Sequence, residues 1–85
     1  MARPKPKLPT HLAVVWWLDA HFHSDEVDRA APQKAYKKIT AGFLIQDDSF
    51  GTGLAQDINE DGSAEAVTFI PRGNESRVLR WKIPK

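Results

Sequence analysis

A histidine-rich stretch after two adjacent tryptophans is the first place where this chain could perform chemistry. His21 and His23 are two residues apart, so on a β-strand their imidazoles would share one face and could bind one metal ion. Asp19 and Asp25 have the same parity and could supply a third ligand. The stretch, however, leaves a strand and enters a turn that Ser24 caps, where such residues are commonly solvated. We therefore predict a strand end here and no metal site.

A basic turn further along the chain is the second candidate site. Arg72, Gly73, Asn74 and Arg77 combine guanidinium groups with free backbone N–H groups, which suit a phosphate or carboxylate ligand. Phe50, an aromatic residue in another turn, could stack on a base. These five residues are the predicted ligand-binding set. The alternative interpretation is a plain hairpin turn with solvated arginines.

The sequence lacks the signatures of catalysis. Its four serines and three histidines occur without the glycine pattern of a nucleophile elbow, and Gly51-Thr52-Gly53 is not a phosphate-binding P-loop. Asp47 and Asp48 form a carboxylate pair, but in a turn without an apolar pocket to separate their pKa values. Cysteine is absent, which excludes disulfides and thiolate metal sites. We predict a protein that is not an enzyme, with no catalytic residue and no cofactor.

Length and charge indicate one small domain with a tendency to associate. The 85 residues predict a single domain over 11–85, preceded by a flexible basic arm over 1–10 that contains three prolines. The net charge is only +1, but residues 47–65 hold six acids and no base, whereas 66–85 hold five bases and one acid. Such blocks favour self-association or steering of a partner, and we predict a homo-oligomer.

Alternating apolar residues predict five strands separated by tight turns. The strands cover 11–20, 36–46, 54–58, 65–70 and 76–83, and Asp61-Gly62 marks a hairpin between the third and the fourth. One helix is predicted at 24–31, between the Ser24 cap and the Pro32 stop. Five short strands are too few for a sandwich and fit a small, bent SH3-like or OB-like barrel.

The first strand carries apolar residues on both faces, and a single core has room for one of its two tryptophans. Trp16 shares a face with Leu18, whereas Trp17 shares a face with Asp19, which prefers water. We therefore predict Trp16 in the core and Trp17 at an interface or ligand surface. The later strands are predicted to add their alternating apolar residues to this core, namely Ile39, Phe43, Ile45, Val67, Phe69, Leu79 and Trp81.

Part of the sequence resembles the Sm-like family of small β-barrels. The resemblance rests on two short patterns, Gly42, Leu44, Asp48 and Phe50, and then Ile70 with Arg72-Gly73-Asn74. Gly51-Thr52 stands where that family has Met-Asn, Pro71 interrupts the second pattern, and the predicted helix follows the first strand instead of preceding it. The resemblance implies an Sm-like or SH3-like barrel.

Most of residues 13–80 also resemble small tailed-bacteriophage proteins that have no assigned activity. The shared features are a Trp-x-Asp-Ala strand, a Gly-Phe-Leu-Ile strand, a Leu-Ala-Gln strand and an Ile-Pro-Arg-Gly turn. This resemblance implies a phage origin and a location in the host cytoplasm. No apolar run approaches the 18 residues of a membrane span, so no membrane partner is predicted.

The resulting prediction is a non-catalytic, phage-type binding protein. The first interpretation is capture of a nucleotide or nucleic acid, through arginines and turn amides for phosphate and an aromatic ring for the base. In a phage, such capture would suit the sequestering of a host defence signal. The alternative is a protein-interaction module that binds and modulates a host protein through the tryptophan strand and the acidic loops.

Overall fold

The computed structural model describes residues 7–19 and 36–84, which form one antiparallel β-sheet. Its strands are β1 (His11–Asp19), β2 (Tyr36–Asp47), β3 (Gly51–Ile58), β4 (Ala64–Pro71) and β5 (Glu75–Lys82). A 3-10 turn, Arg72–Asn74, joins β4 to β5. The prediction of a mainly β chain with five strands is confirmed within these residues. The helix predicted at 24–31, the two histidines of the metal candidate and the first six residues of the predicted arm lie outside them.

The strand order is β4-β3-β2-β1-β5, so β4 and β5 lie at opposite edges of the sheet. β2 pairs with β1 along its first part, where Ile39 faces Trp16, and with β3 near its end, where Leu44 faces Leu54. A bulge after Leu44 lies at this change of partner, and bulges bend strands. No pairing joins β4 to β5 in the described residues. The barrel expected from the sequence is therefore corrected to an open sheet.

The turns follow from residues that tolerate unusual backbone angles. Gly62 has φ +89° in the β3–β4 hairpin, where the Asn59 N–H donates to the Ser63 carbonyl at 2.8 Å. Gly51 has φ +158° at the start of β3, and a Cβ there would lie 2.2 Å from the carbonyl oxygen of Ile70. The hairpin predicted from Asp61-Gly62 is thus confirmed, and Gly51 permits β4 to approach β3 closely.

The core lies on the inner side of the bend and is small. It consists of Ala13, Val15 and Trp17 of β1 packed against Leu54 and Ile70. β1 and β4 are separated by two strands in the sheet, so this contact requires the sheet to curve over its inner face. Leu44 and Val78 pack at the margin of the cluster.

The predicted facing of the two tryptophans is wrong. Trp17 is 8% exposed in the core, and its indole N–H donates to the Thr40 hydroxyl at 2.9 Å. Trp16 lies on the opposite, outer face and is half-buried. The prediction assumed that Asp19 needs water, but its carboxylate pairs with Lys38 Nζ at 2.5 Å. This ion pair at the strand end leaves the face of Trp17 free to turn inward.

All seven apolar residues predicted from the later strands also lie outside the core. Ile39 is 65% exposed and Trp81 51%, and the others are exposed or half-buried, namely Phe43, Ile45, Val67, Phe69 and Leu79. Both faces of the sheet are apolar, so alternation alone could not identify the face that the bend encloses. The outer face of β5, β1 and β2 is therefore an apolar surface with side chains available for contact.

Candidate ligand-binding groove

The predicted basic turn is the 3-10 turn, and Arg72 uses its guanidinium within the chain. Nη1 donates to Glu75 Oε1 at 2.6 Å and Thr52 Oγ1 at 3.1 Å, and Nη2 donates to Asp47 Oδ1 at 2.8 Å. Nε and Nη2 also donate to carbonyl oxygens of the β2–β3 turn. Hydrogen bonds to Asp47 and Glu75 raise the pKa of Arg72 above its usual value. Arg72 thus holds the β2–β3 turn against the start of β5.

Two neighbouring side chains extend this internal network. Glu75, whose side chain is 7% exposed, also accepts a hydrogen bond from the Thr52 hydroxyl. Arg80 of β5 pairs with Asp47 Oδ2 at 2.9 Å. The cluster contains two arginines and two carboxylates, so its charges are balanced and the predicted anion site is largely neutralised from within.

The β2–β3 turn is also stabilised by a carboxylate. Asp48 Oδ1 accepts the N–H of Phe50 at 2.9 Å and that of Gly51 at 3.2 Å. Desolvation raises the pKa of Asp48, but these hydrogen bonds and one from the Gln46 amide outweigh it, so the pKa lies below its usual value. Phe50 on this turn is 77% exposed.

The remaining residues of the predicted ligand-binding set do not form one common site. Asn74 Nδ2 donates to the Leu18 carbonyl at 2.9 Å and so ties the 3-10 turn to the end of β1. A Cβ at Gly73 would have no atom within 4 Å, so the turn is open to solvent there. Arg77 lies on β5, where it is exposed and contacts a different aromatic residue from Phe50.

That aromatic residue is Trp16. Trp16 lies opposite Arg77 of β5 on one side and opposite Ile39 of β2 on the other. The guanidinium carbon of Arg77 is 5.0 Å from the centroid of the Trp16 ring, a distance typical of a cation–π contact. The pair places an indole ring and a cation side by side on the outer face of the sheet, and we call it the Trp16–Arg77 platform.

A groove of about 490 Å³ opens beside this platform, at the end of β1 and the start of β2. Leu18 and Ile39, both exposed, contribute apolar surface, and Lys37 contributes a cation. Lys38 lies 5.8 Å from the Trp17 ring centroid and pairs with Asp19. The lining residues are Trp16, Trp17, Leu18, Lys37, Lys38, Ile39 and Ser76.

The outward positions near the groove hold apolar or basic residues. The register places four on β1 (Leu12, Val14, Trp16, Leu18), four on β2 (Lys37, Ile39, Ala41, Phe43) and three on β5 (Arg77, Leu79, Trp81). None of these eleven residues is acidic. Such a surface suits a ligand that has flat or apolar groups and a negative charge.

Sequence reasoning identified Arg77 but not its partners in this groove. Trp16 was predicted in the core, and Lys37 was not among the predicted ligand-binding residues. The pairing of β1 with β2 brings Trp16, Ile39 and Lys37 to one face, and the sequence alone does not give that register. The usable signal was the excess of apolar residues on both faces of β1, which required one tryptophan to face outward.

The described residues contain no group of three or more histidine, aspartate or glutamate side chains that could hold a metal ion. Residues 7–19 and 36–84 also include no helix that is long and apolar enough to cross a membrane. Comparisons with protein-family models, with curated proteins and with solved structures found no match to this chain. The function must therefore be argued from the groove itself.

Proposed function

We propose that this chain is a non-catalytic binding protein that captures a nucleotide or single-stranded nucleic acid in the Trp16 groove. The observation that carries the proposal is the Trp16 ring with the Arg77 guanidinium 5.0 Å from its centroid, beside an open groove. Proteins that bind single strands combine aromatic stacking with cations that follow the phosphates. Here Arg77 and Lys37 supply the cations, and no acidic side chain lies on the surrounding outward positions.

The proposed binding site lies on the outer face of the sheet and not at the basic turn that the sequence predicted. Arg72 is engaged by Asp47, Glu75 and Thr52, so a phosphate at the turn would have to compete with acceptors already in place. Arg77, by contrast, forms no ion pair among the described residues and stays exposed. Arg77 is therefore the member of the predicted set that we retain in the proposed site.

Fluorescence anisotropy with a labelled ten-nucleotide oligothymidine tests the proposal. Two or three phosphate contacts should weaken binding by about 7- to 20-fold between 50 and 200 mM NaCl, because each contact releases counterions. Trp16→Ala should weaken binding by about tenfold or more through lost stacking. Phe50→Ala is the matched control, since Phe50 is exposed on a turn outside the groove lining, and it should bind as the wild type does.

Opposite results would refute this site. Binding that is insensitive to salt and to Trp16→Ala would exclude stacking at the groove. Loss of binding in Phe50→Ala with retention in Trp16→Ala would return the ligand to the β2–β3 turn. Unlabelled ATP and thymidine monophosphate, titrated as competitors under the same conditions, show whether a single nucleotide is sufficient.

A second candidate function is a protein-interaction module that occupies a host protein. The supporting observation is the exposure of Leu18, Ile39 and Trp81, at 44%, 65% and 51%, on one face of β5, β1 and β2. Exposed apolar patches with aromatic residues and arginine are typical of interfaces. A host protein retained stoichiometrically by the wild type and lost by Ile39→Asp supports this function, whereas retained nucleic acid supports the first.

We further propose that this open, bent sheet is an unclosed member of the SH3-like and Sm-like class of small β-folds. We also propose that the chain is of phage origin and acts in the cytoplasm of a host cell. The class is supported by five antiparallel strands, by the 3-10 turn between β4 and β5, and by the bend that brings β1 to β4. An experimental structure of the whole chain with a flat sheet would reject it.

A further inference from the structure

Two surfaces of the described residues carry unpaired charges of opposite sign. Residues 57–71, which cover the β3–β4 hairpin and β4, contain four carboxylates and no lysine or arginine. Asp57, Glu60, Asp61 and Glu65 are all exposed, and none of them forms an ion pair within the described residues. This hairpin is therefore an anionic projection without internal neutralisation.

The Trp16 groove has the complementary charge. Lys37 and Arg77 are exposed, and neither forms an ion pair in the part of the chain that the structure describes. The apolar surfaces match as well, because Val67 (51% exposed) lies on the same side of β4 as Glu65, and the groove exposes Leu18 and Ile39. One surface presents apolar groups with anions, and the other presents apolar groups with cations.

We propose that the groove of one copy binds the β3–β4 hairpin of a second copy, so that the copies associate head to tail. β4 is separated from β1 by two strands, and no ion pair joins the hairpin to Lys37 or Arg77 within one described molecule. The two surfaces can therefore meet between molecules. Such a contact uses different patches on each partner, so it continues into a ring or an open chain.

The size of the contact predicts a reversible association. A hairpin end in a groove lined by seven residues is a smaller contact than the standard interface, which involves about 20–30 residues of each partner. Contacts below that size are typical of transient complexes. Because carboxylates meet cations at exposed positions, added salt should weaken the association.

The contact has a consequence for ligand binding that rests on the proposed function. The carboxylates of Asp57 and Glu60 would take the places beside Arg77 and Lys37 that phosphates would otherwise occupy. Self-association and capture of a polyanion are then mutually exclusive at the groove. The hairpin acts as a competitor that is displaced when nucleic acid binds.

Complementary charge reversals test the contact. The groove variant carries Arg77→Glu with Lys37→Glu, and the hairpin variant carries Asp57→Lys with Glu60→Lys. Asp61 and Glu65 are left intact, since Ser63 donates to Asp61 and Asn59 donates to Glu65 within the turn. Lys82→Glu is the control, because it reverses the charge of an exposed residue outside both the groove lining and the hairpin.

Sedimentation velocity from 10 to 300 µM in 50 mM NaCl provides the measurement. The wild type and the control should sediment faster as concentration rises, and each reversal variant alone should remain monomeric. An equimolar mixture of the two variants should associate again, because the intact groove can pair with the intact hairpin and the reversed groove can pair with the reversed hairpin. Thermal melts verify that each variant is folded.

Several outcomes would overturn the proposal. A monomeric wild type at 300 µM would do so, as would self-association that persists in both folded variants, or a mixture that stays monomeric. The oligothymidine titration separates this proposal from the proposed function. The hairpin variant should bind oligothymidine several-fold more tightly than associated wild type, whereas association without any oligothymidine binding would reject the nucleic-acid function and leave the head-to-tail contact standing.

Discussion

The guanidinium of Arg72 shows how a side chain suited to ligands can serve the fold. Its three nitrogens donate to two carboxylates, a buried hydroxyl and carbonyl oxygens of the β2–β3 turn. A planar fork with donors in several directions is required for this arrangement, and an ammonium cannot reproduce it. At this position the residue type is set by hydrogen-bond geometry more than by charge.

We expect Arg72→Lys to lower the melting temperature by several degrees and to leave the oligothymidine affinity of the folded protein nearly unchanged. Lysine keeps the charge but cannot reach Asp47, Glu75 and the turn carbonyls together. Circular dichroism melts measure the effect, with Arg77→Lys as control, because Arg77 is exposed on the outer face. Equal melting of Arg72→Lys and wild type would show that the network contributes little.

The two tryptophans differ in what they contribute, although they are adjacent. Trp17→Ala should cost about 3–5 kcal/mol, because it empties a core position and leaves the Thr40 hydroxyl without its indole partner. Trp16→Ala should cost much less, since its ring lies outside the core cluster. Urea denaturation of both variants measures the difference. A larger loss in the free energy of unfolding for Trp16→Ala would contradict the orientation of β1 in which Trp17 faces the core.

At the scale of elements, the β3–β4 hairpin depends on side-chain acceptors. Asp61 Oδ1 accepts the N–H of Ser63 at 2.9 Å and its hydroxyl at 2.7 Å, and these bonds hold the pKa of Asp61 below its usual 3.8. Gly62 supplies the positive φ that the turn needs. The hairpin is thus ordered by local contacts, which explains why the sequence predicted it.

The lowered pKa of Asp61 predicts that the folded state loses stability at low pH. A carboxyl group whose pKa is lower in the folded state stabilises the fold above its unfolded pKa, and that contribution disappears as pH falls through the folded pKa. Asp48 is shifted in the same direction, so acid below about pH 4 should loosen both turns together. Melting temperatures of wild type and Asp61→Asn, followed from pH 7 to pH 2, should converge at the acid end. A constant difference over that range would contradict the linkage.

At the scale of the whole molecule, the chain has two apolar faces and encloses one. The inner face packs Ala13, Val15 and Trp17 against Leu54 and Ile70, whereas the outer face exposes Ile39 and other large side chains. Apolar surface left in water favours contact with a ligand, a partner or a second copy. The binding function that we propose therefore follows from the way the sheet bends.

The arm before β1 should be dispensable for folding up to its last residues. Leu8 is 61% exposed, whereas the carbonyl of Thr10 accepts the Ile83 N–H at 2.8 Å. We expect deletion of residues 1–9 to leave the melting temperature within about two degrees of the wild type, since an exposed side chain adds little to the free energy of unfolding. Failure of the shortened chain to fold would show that the arm packs on the domain.

The sequence by itself determined the strands and turns. Alternation over 36–46, the Asp61-Gly62 pair and the apolar residues of β1 act over a few neighbouring residues, and the structure confirms these elements. Tertiary structure alone decided which face became the core, because both faces of β1 are apolar. The charge of Asp19 did not mark its face as solvent-facing, since Lys38 pairs with it in the folded chain. Tertiary structure also determined the candidate site. Arg72 contacts Thr52 and Asp47, which are 20 and 25 residues away in the chain, and the strand register places Trp16 beside Arg77. Such long-range pairings depend on how the sheet bends, and no local pattern encodes them.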